Sequence, residues 1–82
     1  MKIYWHQGSK NIIGRRVKEA RLKSKPIITQ ADLSARLETF GLKIDRVSIS
    51  KIESGDRFVA DYEVVGFAKA LKVSLDWLLS GK

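Results

Sequence analysis

The stretch that decides the fold is residues 29–55, which read TQADLSARLETFGLKIDRVSISKIESG. Two helix starts lie in it, and at each a capping residue follows an apolar residue that can pack against the fourth residue of the helix. These apolar pairs are Ile28 with Leu33 and Ile44 with Ile49. The spacing predicts one helix over about residues 30–40 and a second over about residues 46–54.

The two predicted helices differ in what they present to solvent. On the first, the helical period directs Leu33, Leu37 and Phe40 inward, and on the second it directs Ile49 and Ile52 inward. The outward set of the second helix is Arg46, Val47, Ser50, Lys51 and Ser54. Arg and Lys can donate to guanine, Ser can pair with several base edges, and Val can contact a thymine methyl group. This helix therefore has chemistry suited to the DNA major groove.

The remaining helices are predicted from their caps and periods. A helix over about residues 11–24 directs Ile13, Val17 and Ala20 inward and ends before Pro26. A helix over about residues 62–72, capped by Asp61, directs Val65, Ala68 and Leu71 inward. A last helix starts at Ser74, where Val73 can pack against Leu78.

The glycines support the same division of the chain. Gly41, Gly55 and Gly81 follow the second, third and last helices, where a left-handed residue commonly ends a helix. Together these signals predict an all-α protein, a compact five-helix bundle over residues 11–80. Residues 1–10 are expected to form an N-terminal arm.

The composition favours a nucleic-acid-binding protein over an enzyme. Lys and Arg total 16 against 9 acidic residues, for a net charge of +7. Residues 1–30 contain all of this excess, which indicates a polyanionic partner such as nucleic acid. With no cysteine and one histidine, the sequence offers no metal cluster, cofactor motif or nucleophile–base pair, so no enzyme is expected. No signal peptide or spanning segment is apparent, so we expect a cytoplasmic protein, nucleoid-associated when bound to DNA.

Three segments resemble a known family. TQADLSARL, IDRVSISKIESGDR and DYEVVGFAKALKVSLDWLL, in this order, are similar to the Cro and lambda-repressor-like helix-turn-helix family, also called the XRE family. The similarity covers about residues 11–80. It implies a DNA-binding domain whose third helix is the recognition helix, and it implies a transcriptional regulator.

The resemblance also implies roles for individual residues. The residues expected at base edges are Asp45, Arg46, Val47, Ser50 and Lys51. The residues expected at DNA phosphates are Gln30, Ser54, Arg57 and Lys43. In this family the glutamate at the position of Glu53 commonly pairs with an arginine of the first helix, for which Arg21 is the candidate. That pair would be structural.

The chain departs from the family pattern in two connections. Six residues separate Leu37 from Ile44, where the family usually has a single glycine. The connection before Thr29 is also about two residues longer, through Lys25, Pro26 and Ile27. These insertions leave open the angle of the recognition helix and whether Arg36 or Lys43 contacts a phosphate.

Two functions remain open at this point. The first is a sequence-specific regulator of double-stranded DNA, a repressor of phage or mobile-element type that binds a two-fold operator as a homodimer. The alternative is an antitoxin or regulatory subunit whose main partner is a protein, such as a toxin or an antirepressor. A membrane partner is not expected, because the apolar face of the first helix is too small for interfacial anchoring.

Overall fold

The computed structural model describes residues 8–82, and its regular elements are all α-helices. They are α1 (Gly14–Lys23), α2 (Gln30–Thr39), α3 (Arg46–Ser54), α4 (Asp61–Leu71) and α5 (Leu75–Ser80). α3 packs against both α1 and α2, α4 also packs against α1 and α2, and α5 packs against α4. The all-α prediction is confirmed. Residues 1–7, which are most of the predicted arm, lie outside the described residues.

The helix starts follow the predicted caps, with one exception. The side chains of Thr29, Asp45 and Ser74 each accept a hydrogen bond from the backbone N–H three residues ahead. The prediction that Asp61 caps α4 is wrong, because Asp61 is already the first helical residue and Ala60 occupies the capping position. There the Ala60 N–H donates to Glu63 Oε1 at 3.0 Å.

The core contains side chains from all five helices. Its fully buried large members are Ile13, Val17, Leu33, Leu37, Ile49, Ile52, Phe67 and Leu78. The prediction that Phe40 and Val65 belong to the core is wrong, since Phe40 is 48% exposed and Val65 is 39% exposed. α2 ends before Phe40, so the helical period no longer directs it inward. On α4 the buried face is centred on Phe67 and Leu71, which leaves Val65 outside it.

α1 begins three residues later than predicted, at Gly14. Its start lies so close to α3 that a Cβ atom at Gly14 would collide with the backbone oxygen of Ile52. Since no side chain fits there, glycine allows the two helices to approach each other. The side-chain oxygen of Asn11 caps this start by accepting from the N–H groups of Ile13 and Gly14, at 3.1 and 2.8 Å.

The lengthened connection between α2 and α3 is an ordered structure. Leu42 N–H donates to the Leu37 carbonyl and Gly41 N–H donates to the Glu38 carbonyl, both at 3.0 Å, and Gly41 has φ +83°. This is a Schellman motif, in which an apolar contact also forms between the residue after the glycine and the helix. Leu42 lies against Gly66 of α4, where any Cβ atom would collide with it.

A side-chain hydrogen bond joins the other end of this connection to α2. Ser34 Oγ donates to the carbonyl of the buried Ile44 at 2.7 Å. The insertion is therefore attached at both ends, by Leu42 and by Ile44, and it presents α3 on a defined support.

Candidate nucleic-acid interface

The outer face of α3 matches the predicted outward set. Arg46, Val47, Ser50, Lys51 and Ser54 are all exposed, whereas Ile49 and Ile52 are fully buried. Since an α-helix turns about 100° per residue, the five exposed residues cover an arc of about 140°. We call these five residues the outer face of α3.

The cations of the outer face have no hydrogen-bond or ion-pair partner in the part of the chain that the structure describes. Among residues 8–82, the side chains of Arg46 and Lys51 make no hydrogen bond or ion pair, and the same is true of exposed Lys43. Ser54 Oγ donates only to the Lys51 carbonyl, at 3.0 Å. The positive charge of the outer face is thus available to an external anion or base edge.

A buried ion pair holds the opposite side of α3. Arg21 Nε lies 2.7 Å from Glu53 Oε2 and Arg21 Nη2 lies 2.9 Å from Glu53 Oε1. Both side chains are less than one-tenth exposed. Arg21 Nη1 also donates to the Ile28 carbonyl at 3.1 Å. This bidentate pair, in the place that the family resemblance implies, joins α1, the α1–α2 connection and α3.

Gln30 belongs to the same network. Its Nε2 donates to Glu53 Oε1 at 3.1 Å. A side-chain amide carries two N–H groups, so one donor remains after this bond. Glu53 therefore fixes the amide of Gln30 at the first residue of α2, and that amide keeps one donor for a further acceptor.

Asp45, predicted as a base contact, also has a structural role within the protein. Its Oδ1 accepts from the Ser48 N–H at 2.7 Å and so caps the start of α3. This hydrogen bond holds the pKa of Asp45 below its ordinary value of 3.8. The carboxylate is exposed, and its second oxygen can still accept a hydrogen bond.

Arg57, a predicted phosphate contact, lies in the α3–α4 loop and is paired with Glu63. Its Nη1 and Nη2 atoms lie 3.2 and 3.3 Å from the two carboxylate oxygens. Burial raises the pKa of Glu63, but hydrogen bonds from Arg57 and the Ala60 amide outweigh it, and the pKa falls below 4.5. The guanidinium is therefore held at the start of α4 while remaining about one-third exposed.

Arg36, for which the sequence leaves a phosphate contact open, makes a hydrogen bond within the protein. Arg36 Nη1 donates to the Ala70 carbonyl in the last turn of α4, at 3.0 Å. A cation at the end of a helix is favourable because the free carbonyls there carry partial negative charge. This contact joins α2 to α4, and of Arg36 and Lys43 only Lys43 makes no side-chain hydrogen bond or ion pair among residues 8–82.

Sequence reasoning missed one residue of this region, Asn11. Besides capping α1, its Nδ2 donates to the carbonyls of Ile52 at 3.1 Å and Arg57 at 2.9 Å. An Asn shortly before a helix is a recognisable capping signal. The sequence does not indicate that the carbonyls of Ile52 and Arg57 accept from it, because every residue has a backbone carbonyl.

Comparison with known proteins identifies the class. A family model described as Helix-turn-helix matches residues 17–78, which include α2, α3 and α4 entirely. The chain belongs to this family, the XRE-type helix-turn-helix domains similar to Cro and lambda repressor. No curated protein and no solved structure was found to match the chain.

Family membership supports a coarse statement of function. The chain is a DNA-binding transcription regulator of the XRE type, and its partner is double-stranded DNA. Within residues 8–82 no helix is long and apolar enough to cross a membrane. The same residues contain no group of three His, Cys, Asp or Glu side chains placed to hold a metal ion.

Proposed function

We propose that the chain is a sequence-specific repressor of phage or mobile-element type, which binds a two-fold operator as a homodimer. The observation that carries this proposal is the outer face of α3, an exposed surface that makes no ion pair with any of residues 8–82. The helix beneath it is held by the Arg21–Glu53 pair and by the ordered α2–α3 connection. A rigid helix with an unused polar face is what insertion into a major groove requires.

The proposed base contacts follow from the chemistry of the outer face. Arg46 and Lys51 donate to the O6 and N7 acceptors of guanine, and Val47 contacts a thymine methyl group. Ser50 donates or accepts, and Asp45 accepts from a cytosine amino group. All five of these side chains are exposed.

The proposed phosphate contacts surround the outer face. Gln30 offers its remaining amide N–H, Ser54 and Arg57 follow the end of α3, and Lys43 precedes its start. Such contacts fix the register of the protein on the duplex and carry no sequence information. Each phosphate neutralised by a cation adds about −0.9 to the log–log dependence of affinity on salt.

The homodimer is proposed from the apolar residues of α5. Leu75 and Leu79 are four residues apart on one side of this helix, and each is about 40% exposed. Two copies joined by a two-fold axis would place their recognition helices about 34 Å apart, which is one turn of DNA. The operator is then an inverted repeat with that spacing.

Selection of bound duplexes from a random pool of 30-base-pair DNA tests the proposal. Enrichment of an inverted repeat with half-sites about one turn apart supports a dimeric sequence reader. Salt-sensitive binding without an enriched motif contradicts base reading by α3. For the sign of regulation, the selected operator is placed in a promoter: repression of the reporter supports the proposal and activation contradicts it.

A second candidate function, a regulatory subunit or antitoxin that binds a protein, is supported by the same exposed leucines of α5. Salt discriminates the two, because DNA binding through several phosphates falls by orders of magnitude between about 50 and 200 mM salt. Binding to a protein through Leu75 and Leu79 would show little such dependence.

A further inference from the structure

The side chain of Asn11 makes four hydrogen bonds that join three parts of the molecule. Its Oδ1 accepts from the N–H groups of Ile13 and Gly14 at the start of α1. Its Nδ2 donates to the Ile52 carbonyl, in the last turn of α3, and to the Arg57 carbonyl in the α3–α4 loop. The side-chain amide is thus saturated, with both acceptor lone pairs and both N–H groups in use.

The residues before Asn11 strengthen the same junction. Lys10 N–H donates to the Gly55 carbonyl at 2.9 Å, and the Lys10 ammonium lies 5.7 Å from the centre of the Phe58 ring. The Ser9 side chain lies so close to Gly55 that a Cβ atom there would be 2.5 Å from Ser9 Oγ. Residues 9–11 therefore pack along the end of α3 and along the loop that follows it. We call residues 9–11 the N-terminal hook.

The hook holds the backbone on both sides of Ser54 and at Arg57, which are two of the proposed phosphate contacts. Ile52 precedes Ser54 by two residues, and the Arg57 carbonyl belongs to the residue whose guanidinium would meet a phosphate. A loop that is ordered before binding loses less conformational entropy when it meets its ligand. The hook lies outside residues 17–78, the part that matches the family.

We propose that Asn11 is a positioning residue for DNA binding: its amide holds the α3–α4 loop so that Ser54 and Arg57 face the DNA backbone. This inference rests on the proposed function, because it assigns Asn11 to contacts that only a DNA duplex would use. Asn11 itself touches no DNA. It acts by fixing the carbonyls of Ile52 and Arg57.

Two substitutions distinguish the role of the Asn11 side-chain oxygen from the role of its N–H groups. Asn11→Ser and Asn11→Asp both keep an oxygen that caps α1, since Ser and Asp are good capping residues. Both lose the amide group that donates to Ile52 and Arg57. The Ser variant is neutral, so it shows the loss of positioning without an added negative charge near the DNA.

The first measurement is the affinity of the chain of residues 1–82 for the selected operator duplex over a range of salt concentrations. We expect both variants to bind about tenfold more weakly, as for the loss of one or two hydrogen bonds. We also expect the salt slope to become shallower by about 0.9, the value for one phosphate contact. A purely structural role for Asn11 would lower the affinity by destabilisation and leave the slope unchanged.

The second measurement is amide hydrogen exchange of the free protein. The N–H groups of Gly55 and Asp56, which bond back to Ile52 and Lys51, should exchange faster in both variants. The Leu78 N–H in α5 should exchange as in the wild type. Ala70→Gly, at the far end of α4 from the loop, is the control for a general loss of stability, and it should keep the wild-type salt slope.

The outcomes distinguish this inference from the proposed function. If the wild type binds an operator and both variants keep its affinity and slope, the positioning role of Asn11 is wrong and the proposed function stands. If only Asn11→Asp binds more weakly, charge repulsion explains the effect and the positioning role is also wrong. If the wild type binds no DNA, the proposed function fails and this inference fails with it.

Discussion

The outer face of α3 and the opposite side of the same nine-residue helix differ in exposure to solvent and in where their polar groups form hydrogen bonds. On the outer face, Arg46 and Lys51 are exposed and have no partner among residues 8–82. On the opposite side, Ile52 is fully buried and both oxygens of Glu53 are hydrogen-bonded. One helix thus separates residues that hold the fold from residues available for recognition.

The difference concerns where a polar group finds its hydrogen bonds. A buried carboxylate such as Glu53 is tolerated only because its charge and its lone pairs are matched within the protein. An exposed guanidinium such as Arg46 is satisfied by water, which a DNA base can replace. Substitutions on the two sides should therefore change different measured quantities, and the following predictions test this from the largest effect to the smallest.

Glu53→Ala should have the largest effect, on stability. Removing one member of a buried ion pair leaves an uncompensated charge and costs about 3–5 kcal/mol. For a domain of this size that is much of the free energy of unfolding, which is about 5–15 kcal/mol for typical proteins. Urea unfolding followed by circular dichroism measures it.

The matched control replaces both partners. Arg21→Leu combined with Glu53→Leu removes the pair without leaving a lone charge, and such replacements are often neutral for stability. We expect the double variant to regain most of the lost stability. Equal instability of the single and double variants would show that the charge left on Arg21 is not the cause.

Whether the sequence alone predicts the position and partners of a residue depends on the type of contact that the residue makes. The outer face of α3 could be predicted because helical period alone separates Arg46 and Lys51 from Ile49 and Ile52. The pair of Arg21 with Glu53 could be expected only through the family resemblance, since the partners are 32 positions apart in the sequence. Phe40 and Val65 were assigned wrongly because their burial depends on where α2 ends and which side of α4 faces the core.

Other contacts could not be predicted from side-chain types. Asn11 and Arg36 donate to backbone carbonyls 34 to 46 residues away, and every residue has such a carbonyl. The ordered α2–α3 connection depends on Leu42 fitting against Gly66, which only the packed structure reveals. Gly41 could be recognised in the sequence as the end of α2, but the contact of Leu42 with Gly66 could not.

After Glu53→Ala, the next largest effect should come from Arg46→Ala and Lys51→Ala, which should change DNA binding and not stability. Each should weaken specific binding by about 1–3 kcal/mol, because a base contact is lost. Neither should change the free energy of unfolding by more than about 0.5 kcal/mol, since both side chains are exposed and make no hydrogen bond or ion pair with residues 8–82. Fluorescence anisotropy with the selected operator measures the first and urea unfolding the second.

Substitution of an exposed lysine elsewhere gives the comparison for these two variants. Lys72→Ala, after the end of α4, removes one charge far from α3 in the sequence and should leave operator binding nearly unchanged. If Arg46→Ala and Lys51→Ala bind the operator like Lys72→Ala does, the outer face of α3 is not the reading surface.

Gln30→Ala tests the residue that links the two sides of α3. Its amide bonds Glu53 and offers one further N–H, so the variant should lose about 1 kcal/mol of DNA binding, as for one hydrogen bond. The loss should be similar for operator and unrelated duplexes, because a phosphate contact carries no sequence information. A loss confined to the operator would instead assign Gln30 to a base.

Asp45→Asn should have the smallest effect, visible mainly in acid. Because the folded-state pKa of Asp45 lies below its ordinary value of 3.8, its carboxylate stabilises the fold well above that pH. That contribution is lost as the pH falls through the folded-state pKa. Asn is a comparable capping residue, so the thermal midpoint of Asp45→Asn near pH 7 should stay close to the wild-type value.

Lowering the pH should then reduce the thermal midpoint of Asp45→Asn by less than that of the wild type. Asp76→Asn, where the wild-type carboxylate has no hydrogen-bond partner among residues 8–82, is the control and should follow the wild-type profile. If Asp45→Asn follows the wild-type profile too, the negative charge of Asp45 adds no stability to the cap of α3 beyond what a neutral oxygen at the same hydrogen bond to Ser48 provides.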